Sequence, residues 1–119
     1  MKTEKYFLPE VIEIIKKKID DSHGNEVFFA GEINSSGIVV SVFDAAHGNE
    51  KSVPVNFSEA RKCSVLIHNH PSGNLRPSRD DDRLTNQIVE AAKLMRIRVV
   101  DHLIISKTDY YSYAENGKI

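Results

Sequence analysis

The residues with the clearest capacity for chemistry lie in one run, His68-Asn69-His70-Pro71-Ser72-Gly73-Asn74-Leu75-Arg76-Pro77-Ser78-Arg79-Asp80-Asp81. His68 and His70 close a compact apolar stretch, Ser64-Val65-Leu66-Ile67, that reads as a strand. Side chains two apart on a strand point to the same face, so both imidazoles can converge on one ion. Asp81 falls in the first turn of the helix predicted to begin at Ser78, and a strand–loop–helix connection can return its carboxylate to the two rings. Two histidines and one carboxylate, with a fourth position left to water, compose a catalytic rather than a closed structural zinc site. Other first-row metals accept the same donors. The same letters also spell a helix start. Ser78 is a good N-cap, and Asp80, Asp81 and Asp82 place negative charge in the first turn. Asp81 is set apart from its neighbours by spacing alone.

These residues need elements to position them. Leu8, Val11, Ile12, Ile14, Ile15 and Ile19 recur at helical spacing, with Pro9 in the first turn. Lys16-Lys17-Lys18 fits a solvated face near the other end, where positive charge favours the helix dipole. Ser22-His23-Gly24-Asn25 stops this helix. Strands are predicted at Glu26–Ala30 and Ile38–Phe43, divided by the turn Asn34-Ser35-Ser36-Gly37. His47-Gly48-Asn49 reads as a turn, Lys51 to Val55 as a short strand, and Ser58 to Arg61 as a brief helical turn. After the loop Pro71–Pro77, a helix from Ser78 places Leu84, Ile88, Ala91, Ala92 and Met95 on one face, and Arg96 and Arg98 bracket its end. Val99–Ile105 and Tyr110–Tyr113 are the last predicted strands, separated by a turn at Ser106–Asp109, and Glu115-Asn116-Gly117 is a terminal turn. One early helix and one late helix around several strands predict an α/β sandwich with a mixed sheet.

Composition narrows the function classes. The 119 residues suit a single domain spanning 1–119, with 40% hydrophobic and 28% charged residues, as in an ordinary globular chain. Sixteen Lys+Arg against seventeen Asp+Glu give a net charge of −1, which argues against a strongly basic nucleic-acid module. The single cysteine, Cys63, excludes an intramolecular disulfide and a four-cysteine zinc site, and suits a small core or rim position. No apolar run approaches the roughly 20 residues of a membrane span, and the start lacks a signal-peptide core, so a cytoplasmic location is expected.

The pattern His-x-His, ten intervening residues, then Asp, with Ser three before it, resembles the JAMM (MPN+) metalloprotease motif. The fuller string, with Asp101-His102-Leu103-Ile104-Ile105 and a Tyr-rich end, is most similar to the RadC branch of the JAB/MPN family. The close resemblance covers Cys63 to Gly117. A looser one covers the first half, where Glu26 opens a strand at the place of the family's catalytic glutamate.

The resemblance implies an MPN-type fold in which His68, His70 and Asp81 bind zinc. It implies that Glu26 bonds the zinc-bound water as general acid and base, and that Ser78 positions that water or stabilises the oxyanion. The implied reaction is hydrolysis of a peptide or isopeptide bond, with a peptide or the tail of a ubiquitin-like protein as substrate. Alternatives of other classes are a RadC-like accessory module in DNA repair or genome maintenance, and a non-catalytic MPN scaffold. The DNA association that the resemblance suggests finds no support in the charge. Three departures from the family stand out: no helical region precedes the domain, the segment Ala45–Lys62 is shorter than and unlike its RadC counterpart, and the long insertions of deubiquitinases are missing. A minimal core from a longer protein is expected. Glu32 competes with Glu26, being six residues along the same strand, and a solvated edge position is expected for it. His23 and His47 are expected at the surface, and His102 as a hydrogen-bonded structural histidine. The contiguous letters His-Asn-His do not make an HNH nuclease, whose name refers to dispersed residues.

Overall fold

A computed structural model describes residues 5–47 and 63–119. The predicted strand at Lys51–Val55 and the helical turn at Ser58–Arg61 lie outside the described residues.

The first helix, α1, runs Pro9–Asp21 with Pro at its start, and buries Val11, Ile12 and Ile15. Leu8 is its N-cap residue and Ile14 is 46% exposed, so the buried stripe is narrower than the apolar periodicity predicts. The strand β1 spans Val27–Ile33, beginning one residue after Glu26 and running past the predicted Ala30. Asn34 builds the expected turn: its side-chain oxygen accepts from the amides of Ser36 and Ile38, and Gly37 takes a φ of 80°. The next strand, β2, covers Val39–His47, so the backbone of His47 is strand rather than turn. The strand β3 runs Cys63–Asn69 and ends between the two candidate histidines.

The second helix, α2, spans Arg79–Leu94 with Ser78 as its N-cap. Its far end differs from the sequence reading. Met95 is the C-cap residue and 53% exposed, not part of the apolar face. Arg96 adopts a left-handed φ of 56°, its amide bonding Lys93 O while that of Ile97 reaches back to Ala92 O. This reversal satisfies the last carbonyls, and Ile97 beyond it is half-buried where Met95 is exposed. The last strands are β4, Arg98–Ile105, and β5, Tyr110–Ser112.

The sheet order is β2-β1-β3-β4-β5. β1 pairs antiparallel with both β2 and β3, β3 and β4 are parallel across α2, and β5 returns antiparallel to β4. The fold is therefore α/β with a mixed sheet and two helices, consistent with an MPN/JAB fold. Alternation along the strands separates two faces. Val27, Phe29, Val65, Ile67, Leu103 and Ile105 join Phe7, Val11, Ile12 and Ile15 in one core under α1. Phe28, Ala30, Leu66, His68, His102 and Ile104 are buried residues of opposite parity, which alternation turns to the other face, where Thr85 of α2 meets His102. Gly31 sits where strands crowd, since a Cβ there would meet Val65 Cγ2 at 2.8 Å and Val39 Cγ1 at 3.0 Å. Among the described residues no helix is long and apolar enough to cross a membrane.

Candidate metal centre

The register of β1 against β3 builds the site. Phe28 is opposite His68, so the same antiparallel pairing continued outward by two residues brings Glu26 toward His70. The Glu26 carboxylate indeed lies 3.8 Å from His70 Nε2. Glu32 has the same parity but pairs with Ser64 at the far end of β3, about 20 Å away along the strand. β1 is an interior strand, so Glu32 is not the edge residue expected from the sequence, and its carboxylate lies 3.5 Å from Ser41 Oγ.

The helix start supplies the third donor. The Ser78 hydroxyl accepts from the Asp81 amide at 3.0 Å, and Asp81 Oδ2 accepts from the Ser78 amide at 2.8 Å, a complete capping box. The two readings of Asp81 are thus compatible: the carboxylate that closes the cap is also the one turned to the histidines. Its Oδ2 is 2.9 Å from His70 Nε2, and its Oδ1 is 3.3 Å from His68 Nε2. Burial favours the neutral acid, yet the contact with His68, the bond from the Ser78 amide and the nearby His70 ring together hold the Asp81 carboxyl well below the usual carboxylate range. Asp80 pairs on the surface with Arg83, and Asp82 accepts from Tyr113 Oη at 2.8 Å. Ser78 uses its oxygen in the cap and keeps one hydroxyl hydrogen for another acceptor.

Glu26, His68, His70 and Asp81 each bring one donor atom into a group no more than 4.8 Å across. Geometry tests whether this set fits a metal. Ligand atoms 2.0–2.1 Å from a tetrahedral zinc are about 3.3 Å from one another. The two Nε2 atoms are 3.2 Å apart, and their nearest Asp81 oxygens lie at 2.9 and 3.3 Å. Proton placement agrees. His70 Nδ1 lies 2.8 Å from the Asn74 carbonyl, which can only accept, so this ring carries a proton there and Nε2 is the nitrogen left to face a metal. Nitrogen and oxygen donors crowded at this spacing fit a cation held among them. The longer separation of Glu26 suits a carboxylate that reaches what the metal binds.

His68 is fully buried and stacked on Phe28, with ring centroids 4.5 Å apart and planes 4° from parallel. Its Nδ1 meets His102 Nε2 at 2.7 Å. His102 is a buried, hydrogen-bonded histidine as the sequence predicts, but it also touches a candidate ligand, which the sequence reading missed. Burial first, then the neighbouring His68, keeps the His102 imidazole well below its ordinary pKa. Thr85 was also missed; its position four after Asp81, one helical turn on, is the signal that could have found it. Asp101 is buried as well, and accepts from the amides of His102 and Ala114 and from the Ser112 hydroxyl. That accounts for a carboxylate inside the sheet without a chemical role. His23 is exposed at a φ of 53°, in keeping with a surface turn. The side chains of Cys63 and His47 lie outside the described ones.

This histidine–carboxylate group sits in a domain that matches a family model, the RadC-like JAB domain, over residues 8–118. The chain belongs to the RadC-like JAB domain family. It is similar to a UPF0758 protein of Salinibacter ruber, 38% identical over 102 residues that cover 79% of this chain and 44% of the relative. A UPF0758 protein of Clostridioides difficile is 34% identical over 99 residues, 76% of this chain and 42% of the relative. A third, from Haemophilus influenzae, is 58% identical over 62 residues, 49% of this chain and 28% of the relative. The chain thus spans less than half the length of these curated relatives.

Proposed function

We propose that this domain is a zinc-dependent hydrolase of peptide or isopeptide bonds. The observation that carries the reading is the convergence of His68, His70, Asp81 and Glu26 at ligand spacing beside a capped helix start. His68, His70 and Asp81 are the residues that would hold the zinc. Bound there, zinc supplies a Lewis acid and an acidified water at neutral pH.

The remaining roles belong to the chain. Glu26 takes a proton from the attacking water and hands it to the leaving nitrogen. The spare hydroxyl hydrogen of Ser78 serves the developing oxyanion. A cavity of about 520 Å³ adjoins His70, lined among others by Ser22, Asn69, Ser72 and Lys107, and gives an extended segment room to approach. β2 is the outermost strand on that side; residues 6–8 pair with its start at Val39, and its far end at His47 pairs with Val27, next to Glu26. Backbone added along this edge would run toward the site, so a flexible peptide end or the tail of a ubiquitin-like protein is the proposed substrate.

The test joins metal content to turnover. Gently purified protein is expected to carry about one zinc per chain by elemental analysis. It is expected to cleave a member of a panel of peptide and isopeptide substrates. The double variant His68→Ala, His70→Ala is expected to lose both. Unchanged metal content in that variant would remove the site from this reading.

A further inference from the structure

A histidine offers Nε2 to a metal only when its proton sits on Nδ1, and for His68 that choice is made one layer behind the donor group. Thr85 has a single hydroxyl hydrogen. It goes to the Asp81 carbonyl at 2.7 Å, an acceptor with no hydrogen to return. The Thr85 oxygen must then accept across the 2.6 Å contact to His102 Nδ1. His102 is fully buried, and its ring nitrogens bond Thr85 and His68 rather than a carboxylate, so it holds one proton, on Nδ1. Its Nε2 is left as an acceptor 2.7 Å from His68 Nδ1. His68 must donate there, which frees its own Nε2 lone pair on the side of His70 and Asp81. Two aromatic rings hold the chain of bonds in place: Phe28 stacks on His68, and Tyr113 lies 4.6 Å from His102 at 13°.

We propose that Thr85 and His102 are positioning residues that lock His68 in its metal-binding tautomer. This inference rests on the zinc reading above. Metal-ligating histidines usually donate their second nitrogen to a carboxylate, carbonyl or water. Here the acceptor is a neutral imidazole, which orients the ligand without placing a second negative charge behind the ion. The Asp81 backbone takes part as well, because its carbonyl consumes the Thr85 proton. One turn of α2 thereby supplies a candidate ligand and sets the tautomer of another.

The experiment has a spectroscopic arm and a binding arm. In protein labelled with nitrogen-15 in its imidazoles, long-range proton–nitrogen NMR is expected to show His102 and His68 both protonated on Nδ1. This arm needs no substitution, so it cannot be confused with misfolding. In the binding arm, zinc is titrated in competition with a chelating dye. Thr85→Val and His102→Leu are expected to bind about 10–100-fold more weakly. Thr85→Ser, and His102→Gln, whose amide oxygen reaches the place of Nε2, are expected to recover most of that loss. If the parent binds zinc while His102 proves to be protonated on Nε2, or while Thr85→Val and His102→Leu bind as tightly as the parent, the lock is overturned and the zinc reading stands. A parent that binds no zinc overturns both.

Discussion

At the scale of single residues, two acidic side chains of one strand are separated by their partners. Glu26 lies beside His70, whereas Glu32 pairs with Ser64 at the other end of the sheet. Glu26→Gln keeps the size but loses the base, so zinc is expected to remain while turnover on an established substrate falls about 10²–10⁴-fold. Glu32→Gln is expected to leave turnover nearly unchanged, and steady-state assays with metal analysis compare the two. Tyr113 gives a second prediction. Burial, and then its bond to Asp82, push the tyrosine hydroxyl above its ordinary pKa. In the unfolded chain it ionises near pH 10. Its stabilising effect is therefore complete below about pH 10 and declines as pH rises beyond it. Tyr113→Phe is expected to cost about 1–2 kcal/mol at neutral pH and to flatten the alkaline decline in the urea midpoint. Tyr6 and Tyr110, raised likewise, keep part of that slope.

At the scale of elements, the site depends on β1 and β3 staying in register and close together. Asn69 ties them beyond the ladder, its side-chain oxygen accepting from the Val27 amide at 2.8 Å. Gly31 permits the close approach in the middle. Gly31→Ala would drive a methyl group into Val65 and Val39, with Ile67 Cδ1 only 3.4 Å away. Overpacking of this kind is expected to cost about 1–3 kcal/mol, measured by denaturant unfolding. Much at this scale was legible beforehand. The polar turn at Asn34–Gly37 and the Ser78 cap both carry local chemistry that specifies them. The end of α2 did not, because the reversal there uses Arg96 in a left-handed conformation where glycine is the usual sign.

At the scale of the molecule, the sheet separates stability from chemistry. α1 and its core occupy one face, and the residues of the candidate metal centre belong to the other. Ile15→Ala removes a side chain that is 3% exposed beneath α1 and is expected to cost about 2–4 kcal/mol. Zinc stoichiometry of the folded fraction is expected to be unchanged, since no donor lies on that face. Thermal unfolding with metal analysis on the same sample checks both halves.

By itself, the sequence determined what is written in short spans: the elements around the site, the strand-end histidines, and Ser78 and Asp81 at a helix start. Hydrophobic period and capping chemistry act over a few residues, so adjacent letters suffice to read them. The preference for Glu26 rested on the resemblance; only the tertiary structure supplies its physical reason, because register joins residues some forty positions apart and parity could not distinguish Glu26 from Glu32. It alone brought Thr85 and His102 behind His68, since β4 reaches β3 only after α2 has crossed the sheet. A buried polar chain of this sort has no sequence period, because each member is satisfied by a partner from a different element.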